Sequence, residues 1–360
     1  MGSGHAGPVL PVDRRMLPRS ARMRRQQVGI TSRDVARLAG VSQPTVSRAL
    51  RGDTRVSAET RRRVQEAARA LGYVPSEAGR SLSTRSARRV GVLVTDLTNP
   101  FYPHLVAPLH DELERLGYRM MLFTERSDEA IASERLLDRS IDGVVLTTTG
   151  LGSGLPAELH RRGLPFVYLN REGATPADAA VVDNRLGAEL AARELVTLGH
   201  ERVAGIFGPE ETSTGREREY GFRLALAEAG VGLPEARVRR GPFEFETGHA
   251  ALTSLMAAEP RPTAVFCGND VIATGALDAA LRAGIRVPDE LTVIGFDDIP
   301  MSAWESFRLT TIRYDLHEMA ATAARLLVRR ISGEAAGDPE RVVFAPAFVA
   351  RRTHARPPAG

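Results

Sequence analysis

Residues 31–50 constrain this chain more than any other stretch, because they spell two short helices held at a fixed angle by a tight turn. Thr31-Ser-Arg-Asp34 opens the first, with a threonine cap and an acid three positions on to satisfy amides that a helix start leaves free. Val35, Ala36, Leu38 and Ala39 are expected to form its buried face, and Gly40 ends it, since glycine takes the left-handed conformation a tight turn needs. Val41 is the inward residue of the turn. Ser42 caps a second helix, Gln43-Pro-Thr-Val-Ser-Arg-Ala-Leu50, with Pro44 in the first turn, where its missing amide costs least. Val46, Ala49 and Leu50 are spaced to pack inward, which leaves Gln43, Thr45, Ser47 and Arg48 outward. Two short helices joined in this way make a helix-turn-helix, whose second helix lies in the major groove of DNA. Ser57 caps a third helix that runs to Leu71 and stops at Gly72.

Ser32 to Leu50, followed by Arg55-Val-Ser57 and Leu71-Gly-Tyr73, resembles the DNA-binding headpiece of the lac-repressor/galactose-repressor family of bacterial transcription regulators. The resemblance implies a hinge helix, whose place is taken here by Pro75-Ser-Glu-Ala-Gly-Arg-Ser-Leu82. It departs from the family at Gly79, where alanine is usual; glycine inside a helix costs about 1 kcal/mol relative to alanine, so this hinge is expected to depend on DNA and the dimer partner to fold. In the recognition helix, Arg48 and Gln43 are the expected base readers, arginine pairing best with guanine and glutamine with adenine. Pro44 is a second departure, at a family specificity position; it offers apolar contact only, as to a thymine methyl. Ser42, Thr45 and Ser47 are expected to hold phosphates. By resemblance Arg80 and Leu82 belong to the hinge contact, Leu82 wedging between base pairs in the minor groove.

Charge follows the same division. Residues 1–89 carry 19 Arg against 6 acids, a charge of +13, and the remainder 29 against 38, a charge of −9, giving the net +4. A polyanion-binding end followed by an acidic body fits a DNA-controlling protein. All 48 basic residues are arginine, which reads as the coding bias of a GC-rich genome. Residues 1–29 are rich in Gly, Pro and Arg and lack periodicity, so a disordered basic arm is expected, either touching DNA or dispensable, with Met23 as an alternative start. No signal peptide or bilayer-length apolar run is visible, and the single Cys267 has no disulfide partner. These features predict a cytoplasmic, nucleoid-associated protein without metal or other cofactor.

Residues 83–89 read as a polar linker delivering the chain into Val90-Gly-Val-Leu-Val-Thr95, a buried parallel strand. Further strands are expected at 119–124, 143–147, 166–169, 202–207, 263–267 and 292–296, alternating with amphipathic helices at 104–116, 187–198, 217–229 and 275–283. That alternation means βαβ units. The resemblance arranges them as two α/β subdomains like those of periplasmic sugar-binding proteins, with a ligand cleft between. The expected fold is thus an all-α helix-turn-helix headpiece (30–74), hinge and linker (75–89) and a two-lobed α/β core (90–350). Lobe 1 takes 90–183 and 315–331 and lobe 2 takes 187–310 and 342–350, with crossings near 182–186, 310–315 and 332–342. The tail, 351–360, lacks leucine heptads, so a homodimer is expected.

Ligands of open α/β sheets bind beyond the carboxyl ends of strands. After the first strand, Asp96-Leu-Thr-Asn-Pro-Phe-Tyr102 places Asn99 as a helix cap, and Phe101 and Tyr102 match family positions that touch the ligand. Arg218, three residues before Gly221, matches the family's clamping arginine, whose planar fork can hold two hydroxyls or a carboxylate. Thr214 and Arg216 are secondary candidates. Asn269 and Asp297 match family ligand contacts, Phe243 a stacking aromatic, and Asn170 and Arg171 end another strand; Asp270 and Asp298 read as structural helix caps. Gly150-Leu-Gly-Ser-Gly154 lacks the following Lys-Ser/Thr of a phosphate loop, and no nucleophilic triad stands out. The reading is a non-enzymatic, sequence-specific regulator, a repressor of a near-palindromic operator, responsive to a sugar. The alternatives are a nucleobase or other metabolite as effector, or a sugar-binding or sugar-processing protein.

Overall fold

The computed structural model describes residues 30–50, 52–73, 86–95, 97–124 and 140–358. Expectations for the arm, for the hinge with Gly79, Arg80 and Leu82, and for Asp96 lie outside the described residues. The chain divides into two units, residues 1–80 and 81–360.

In the first unit, α1 (Ser32–Ala39), α2 (Gln43–Leu50) and α3 (Ala58–Ala70) enclose a small core of Val35, Ala39, Val46, Ala49 and Val64. Asp34 accepts from both the amide and the hydroxyl of Thr31, at 3.0 and 2.7 Å, closing the start of α1. Gly40 turns the chain at φ 64, and the Arg63 guanidinium donates to the Ala39 carbonyl, satisfying an acceptor the ended helix leaves open. Leu38 corrects the expected buried face. It is 56% exposed, because residues 35, 36 and 39 already fill the side of α1 that meets α2 and α3.

The second unit has two lobes. Six parallel strands in the order β11-β5-β4-β3-β1-β2 form the sheet of lobe 1: β1 (Arg89–Val94), β2 (Arg119–Thr124), β3 (Gly143–Leu146), β4 (Phe166–Leu169), β5 (Asp178–Val182) and β11 (Arg341–Phe344). Helices α4 (Phe101–Arg115), α5 (Leu155–Arg161) and α10 (Leu316–Ser332) cover it; α10 packs on α4 and on β3 to β5. Lobe 2 is a four-stranded parallel sheet, β7-β6-β8-β9, made of β6 (Val203–Phe207), β7 (Val238–Arg240), β8 (Ala264–Cys267) and β9 (Thr292–Ile294). Its helices pair as α6 (Asn184–Leu198) on α7 (Ser213–Glu228), and α8 (Phe245–Met256) on α9 (Asp270–Arg282). The second pair touches backbone to backbone: a Cβ on Gly248 would lie 1.8 Å from the Ile272 carbonyl oxygen, and one on Gly275 2.0 Å from that of Phe245. Only glycine fits at such a crossing. A two-stranded antiparallel ribbon, β10 (Thr311–Arg313) with β12 (Ala347–Val349), completes the chain's course.

Three placements differ from expectation. The segment 341–344, assigned to lobe 2, is an edge strand of lobe 1, paired with β5, so the last crossing falls at residues 345–346 rather than 332–342. The reason is local: Asp178, buried at the start of β5, takes a bidentate ion pair from Arg330 and the amide of Glu340, which draws the returning chain onto that edge. Residues 351–355 are no loose tail. Thr353 bridges the Val293 carbonyl and the Thr310 amide, and the Ala355 carbonyl accepts from Thr292 and faces His200 at 2.9 Å. The linker, finally, is tied to lobe 1 from Ser86 onward, through Asp142.

Candidate functional site

Every strand of lobes 1 and 2 that carries a candidate residue runs toward the same cleft, so their carboxyl-end loops converge there. The space there, with room of only about 20 Å³, is lined by Asn99, Phe101, Tyr102, Asn170 and Arg171 of lobe 1 and Thr214, Arg218, Phe243, Asn269 and Asp297 of lobe 2. Nine of the ten ligand candidates named from the sequence thus face one cavity, with Asn99 added. Arg216 is exposed outside it.

Arg218 sits at the centre on α7 and is 2% exposed. Its Nε donates to Asn184 Oδ1 at 2.8 Å, one terminal nitrogen to the Gly268 carbonyl at 2.6 Å and the other to Asp297 Oδ1 at 3.1 Å, while its guanidinium carbon lies 3.7 Å from the Phe296 ring centroid. The side chain is therefore a strut of lobe 2 as well as a donor to the cavity. Asp297 also accepts from the Tyr314 hydroxyl at 3.1 Å. Burial pushes its pKa upward against the opposing pull of Arg218. Burial likewise pushes up Glu217, which accepts from Asn184 Nδ2 at 3.2 Å. Asn184, Phe296 and Tyr314 escaped the sequence reading because nothing marks them locally; they matter only through partners far along the chain.

Two cavity residues hold left-handed backbone, Asn170 at φ 74 and Asp297 at φ 112. Such geometry in non-glycine residues is uncommon and concentrates at functional sites. Asn170 is 5% exposed and its Oδ1 has no partner; the Arg171 Nε is also unpartnered. Buried polar atoms left open in a cavity are groups a ligand can satisfy. Asn269 caps α9, its Oδ1 accepting from the Ile272 amide at 2.8 Å, which leaves its NH₂ for the cavity. Asn99 Oδ1 takes the Phe101 amide at 3.0 Å at the start of α4, as a capping side chain does, and its Nδ2 crosses to the Phe243 carbonyl at 2.8 Å. Arg171 stacks over the Phe243 ring at 5.0 Å, and Gly208 leaves the room that ring occupies. Two more bonds join the lobes, Leu151 N–H to the Glu211 carbonyl at 2.7 Å and Glu172 N–H to Ser213 Oγ at 3.0 Å.

Asp270 and Asp298 are structural, although neither side chain caps a helix. Asp270 is fully buried and accepts from the Ile299 amide and the hydroxyls of Ser302 and Thr311 at 3.0, 2.6 and 2.5 Å; burial, with Asp297 nearby, pushes its pKa up to about 8. Asp298 pairs with Arg351 at 2.6 Å. Among the described residues no cluster of three His, Cys, Asp or Glu could hold a metal, and no helix is long and apolar enough to cross a membrane.

In the first unit, Gln43, Pro44 and Arg48 are exposed on α2, with Thr45 and Ser47 half-buried. The Ser42 hydroxyl meets that of Thr45 at 2.8 Å, and Gln43 Nε2 donates to Ser32 Oγ at 2.9 Å, which brings the amino ends of α1 and α2 together. The arrangement presents one exposed helix face bearing an arginine, a glutamine and small hydroxyls.

Comparison with known proteins matches residues 31–76 to the bacterial regulatory proteins of the lacI family and residues 192–354 to the periplasmic binding protein-like domain. The HTH-type transcriptional repressor CytR of Escherichia coli K12 is 34% identical over 342 residues, 93% of this chain and 99% of that protein. The ribose operon repressor of the same organism is 35% identical over 309 residues, covering 84% and 93%. Among solved structures, the transcriptional regulator CelR–cellobiose complex aligns with TM-score 0.70 and 32% identity over 90% of this chain and all of that one. The lac repressor dimer bound to operator and the anti-inducer ONPF aligns with TM-score 0.80 and 26% identity, covering 91% and 99%.

Proposed function

The chain belongs to the LacI family of bacterial transcriptional regulators, and on that footing we propose that it is a homodimeric, cytoplasmic repressor that releases or tightens its operator as a sugar enters the cleft. One observation carries the reading of the core: ten side chains from both lobes line a single small space, with open polar atoms on Asn170 and Arg171. A ligand there touches both lobes at once and so biases the angle between them; a difference in affinity for the two arrangements is what a regulatory coupling requires. Arg218, Asn269 and Asp297 offer donors and an acceptor suited to vicinal hydroxyls. No reaction is assigned to the cleft.

On the DNA side, Arg48 and Gln43 read base edges, Pro44 makes apolar contact, and Ser42, Thr45 and Ser47 fix phosphates. Gln43 leaves Ser32 to do so. Thermal melting of the full chain with pentoses, hexoses, disaccharides, sugar phosphates and nucleobases tests the cleft, since a ligand that binds only the folded state raises its melting temperature by mass action. A shift with a sugar that is lost in Asn269→Ala supports the assignment. A shift with nucleobases alone makes the effector a nucleobase, and turnover of any compound, seen by product analysis, refutes the regulator reading of the core.

A further inference from the structure

Where the chain enters the core, three hydrogen bonds converge on one carboxylate. Asp142 Oδ2 accepts from the Ser86 hydroxyl at 2.7 Å and the Arg88 amide at 2.6 Å, and Oδ1 from the Ala87 amide at 2.7 Å. Arg88 is held there at φ 52, a left-handed conformation costly for arginine, with its guanidinium 5.1 Å over the Tyr118 ring and its carbonyl accepting from the Arg119 amide at 2.9 Å. Strained backbone of this kind persists only where its surroundings over-determine it, and switch regions are among the places it collects.

The position of the clamp gives it a consequence. Asp142 immediately precedes β3, and its amide donates to the Arg89 carbonyl at the start of β1, so the clamp grips the foot of two paired parallel strands. The heads of those strands are at the cleft: β1 leads to Asn99, and β3 to Thr148, whose carbonyl meets Arg171 at 3.5 Å. A Cβ on Gly143 would stand within 3.1 Å of Ile331, Leu327 and the Pro165 carbonyl, so the foot of β3 is packed without slack.

We infer that Asp142 is a positioning residue for DNA binding: it makes residues 86–88 part of lobe 1, so that lobe movements reach the chain ahead of Ser86 instead of being lost in free rotation. The inference rests on the chain being an operator-binding regulator. Without the carboxylate, three residues at the junction regain backbone freedom, and the DNA-binding unit becomes a loosely tethered module, able to bind DNA but not held in register by the core.

The test uses the full chain as wild type, Asp142→Asn and Ser86→Ala, with a duplex selected by the wild type from a random-sequence pool and a shuffled duplex as control. Asp142→Asn is expected to weaken binding to the selected duplex by roughly tenfold, within the usual span of coupling energies, while the shuffled duplex and the melting temperature of the core stay near wild type. Ser86→Ala, which removes one of the three bonds, gives a smaller loss of the same kind. Amide exchange at Ala87 and Arg88 is slow in the wild type and fast in Asp142→Asn. Wild-type affinity in Asp142→Asn, equal weakening on both duplexes, or fast exchange at these amides in the wild type each overturn the inference. If Asp142→Asn fails to fold, Ser86→Ala and the wild-type exchange decide. A wild type that selects no duplex refutes the regulator reading itself, and the clamp's role with it.

Discussion

Replacing Arg218 by alanine is expected to unsettle the core even with no ligand present. The guanidinium is buried, it neutralises buried Asp297, and it supplies the hydrogen bonds taken by Asn184 and the Gly268 carbonyl. Removing one partner of a buried ion pair costs about 3–5 kcal/mol because the other charge is stranded. At about 2–4 °C per kcal/mol for a domain of this size, the melting temperature drops by roughly 6–20 °C. The loss depends on pH in a definite direction. Burial already holds Asp297 above its ordinary pKa, and losing Arg218 removes the main opposing pull, so the folded variant keeps its proton to higher pH than the wild type. A folded state that binds more protons than the unfolded one loses stability as pH rises. The gap between variant and wild type should therefore widen as pH rises above the ordinary carboxylate range and narrow as pH falls back toward it. Urea unfolding across that range, with Asp297→Asn and the double variant completing a cycle, measures this. Arg218→Ala with unchanged stability, or a double variant whose loss is the simple sum of the singles, would refute the view that Arg218 is a structural strut.

Arg48→Ala should lose discrimination at one base position in each half-site by about 1–3 kcal/mol, read by titrating single-base variants of a selected duplex; equal weakening on every sequence would reassign it to phosphate. For Asp270, whose pKa is pushed up to about 8, the folded state again holds the extra proton, so core stability should fall as pH rises from the ordinary carboxylate range toward 8. Asp270→Asn should flatten that slope in urea titrations while lowering stability at acid pH, because its NH₂ cannot accept from Ser302 and Ile299 as the carboxylate oxygen does. Gly248→Ala drives a methyl into the Ile272 carbonyl across the α8–α9 crossing and should cost about 1–3 kcal/mol of overpacking or more; calorimetry that finds it neutral would mean the helices can part.

The sequence was most readable where chemistry is local. Caps, turn glycines and inward apolar residues of 31–72 belong to one short stretch, and only Leu38 misled, since it lies on the exposed side of α1. Asn170, Asn269 and Asp297 were readable because strand ends announce themselves, an apolar run stopping just before a polar residue that faces the cavity, whereas Phe101, Tyr102 and Arg218, on α4 and α7, were marked by the family resemblance. Elements without that contrast were missed. Strand β5, Asp-Ala-Ala-Val-Val, begins with a buried charge and carries alanines, residues with little strand preference; its place is fixed by Arg330 from 152 residues away. Short edge pieces such as β7, β10 and β12 hold only three residues each, too few for periodicity to show. Asn184, Phe296 and Tyr314 support Arg218 and Asp297 only after folding brings distant segments together.

The interleaved path of the chain also dictates an order of assembly on the ribosome. The helices spanning 32–70 are contiguous and close their own core. Lobe 1, by contrast, waits for α10 and for β11 at 341–344, and lobe 2 for the residues around Thr353 that stitch β9 to the Thr310 segment. With synthesis at about 5–20 residues per second, the DNA-binding helices can fold while most of the core is still untranslated, and the two lobes become complete almost together, near the end. A nascent chain stalled after residue 315 would carry a finished DNA-binding unit and no finished lobe. Both lobes, and with them the cleft between, thus hang on residues 316–355, which are made last.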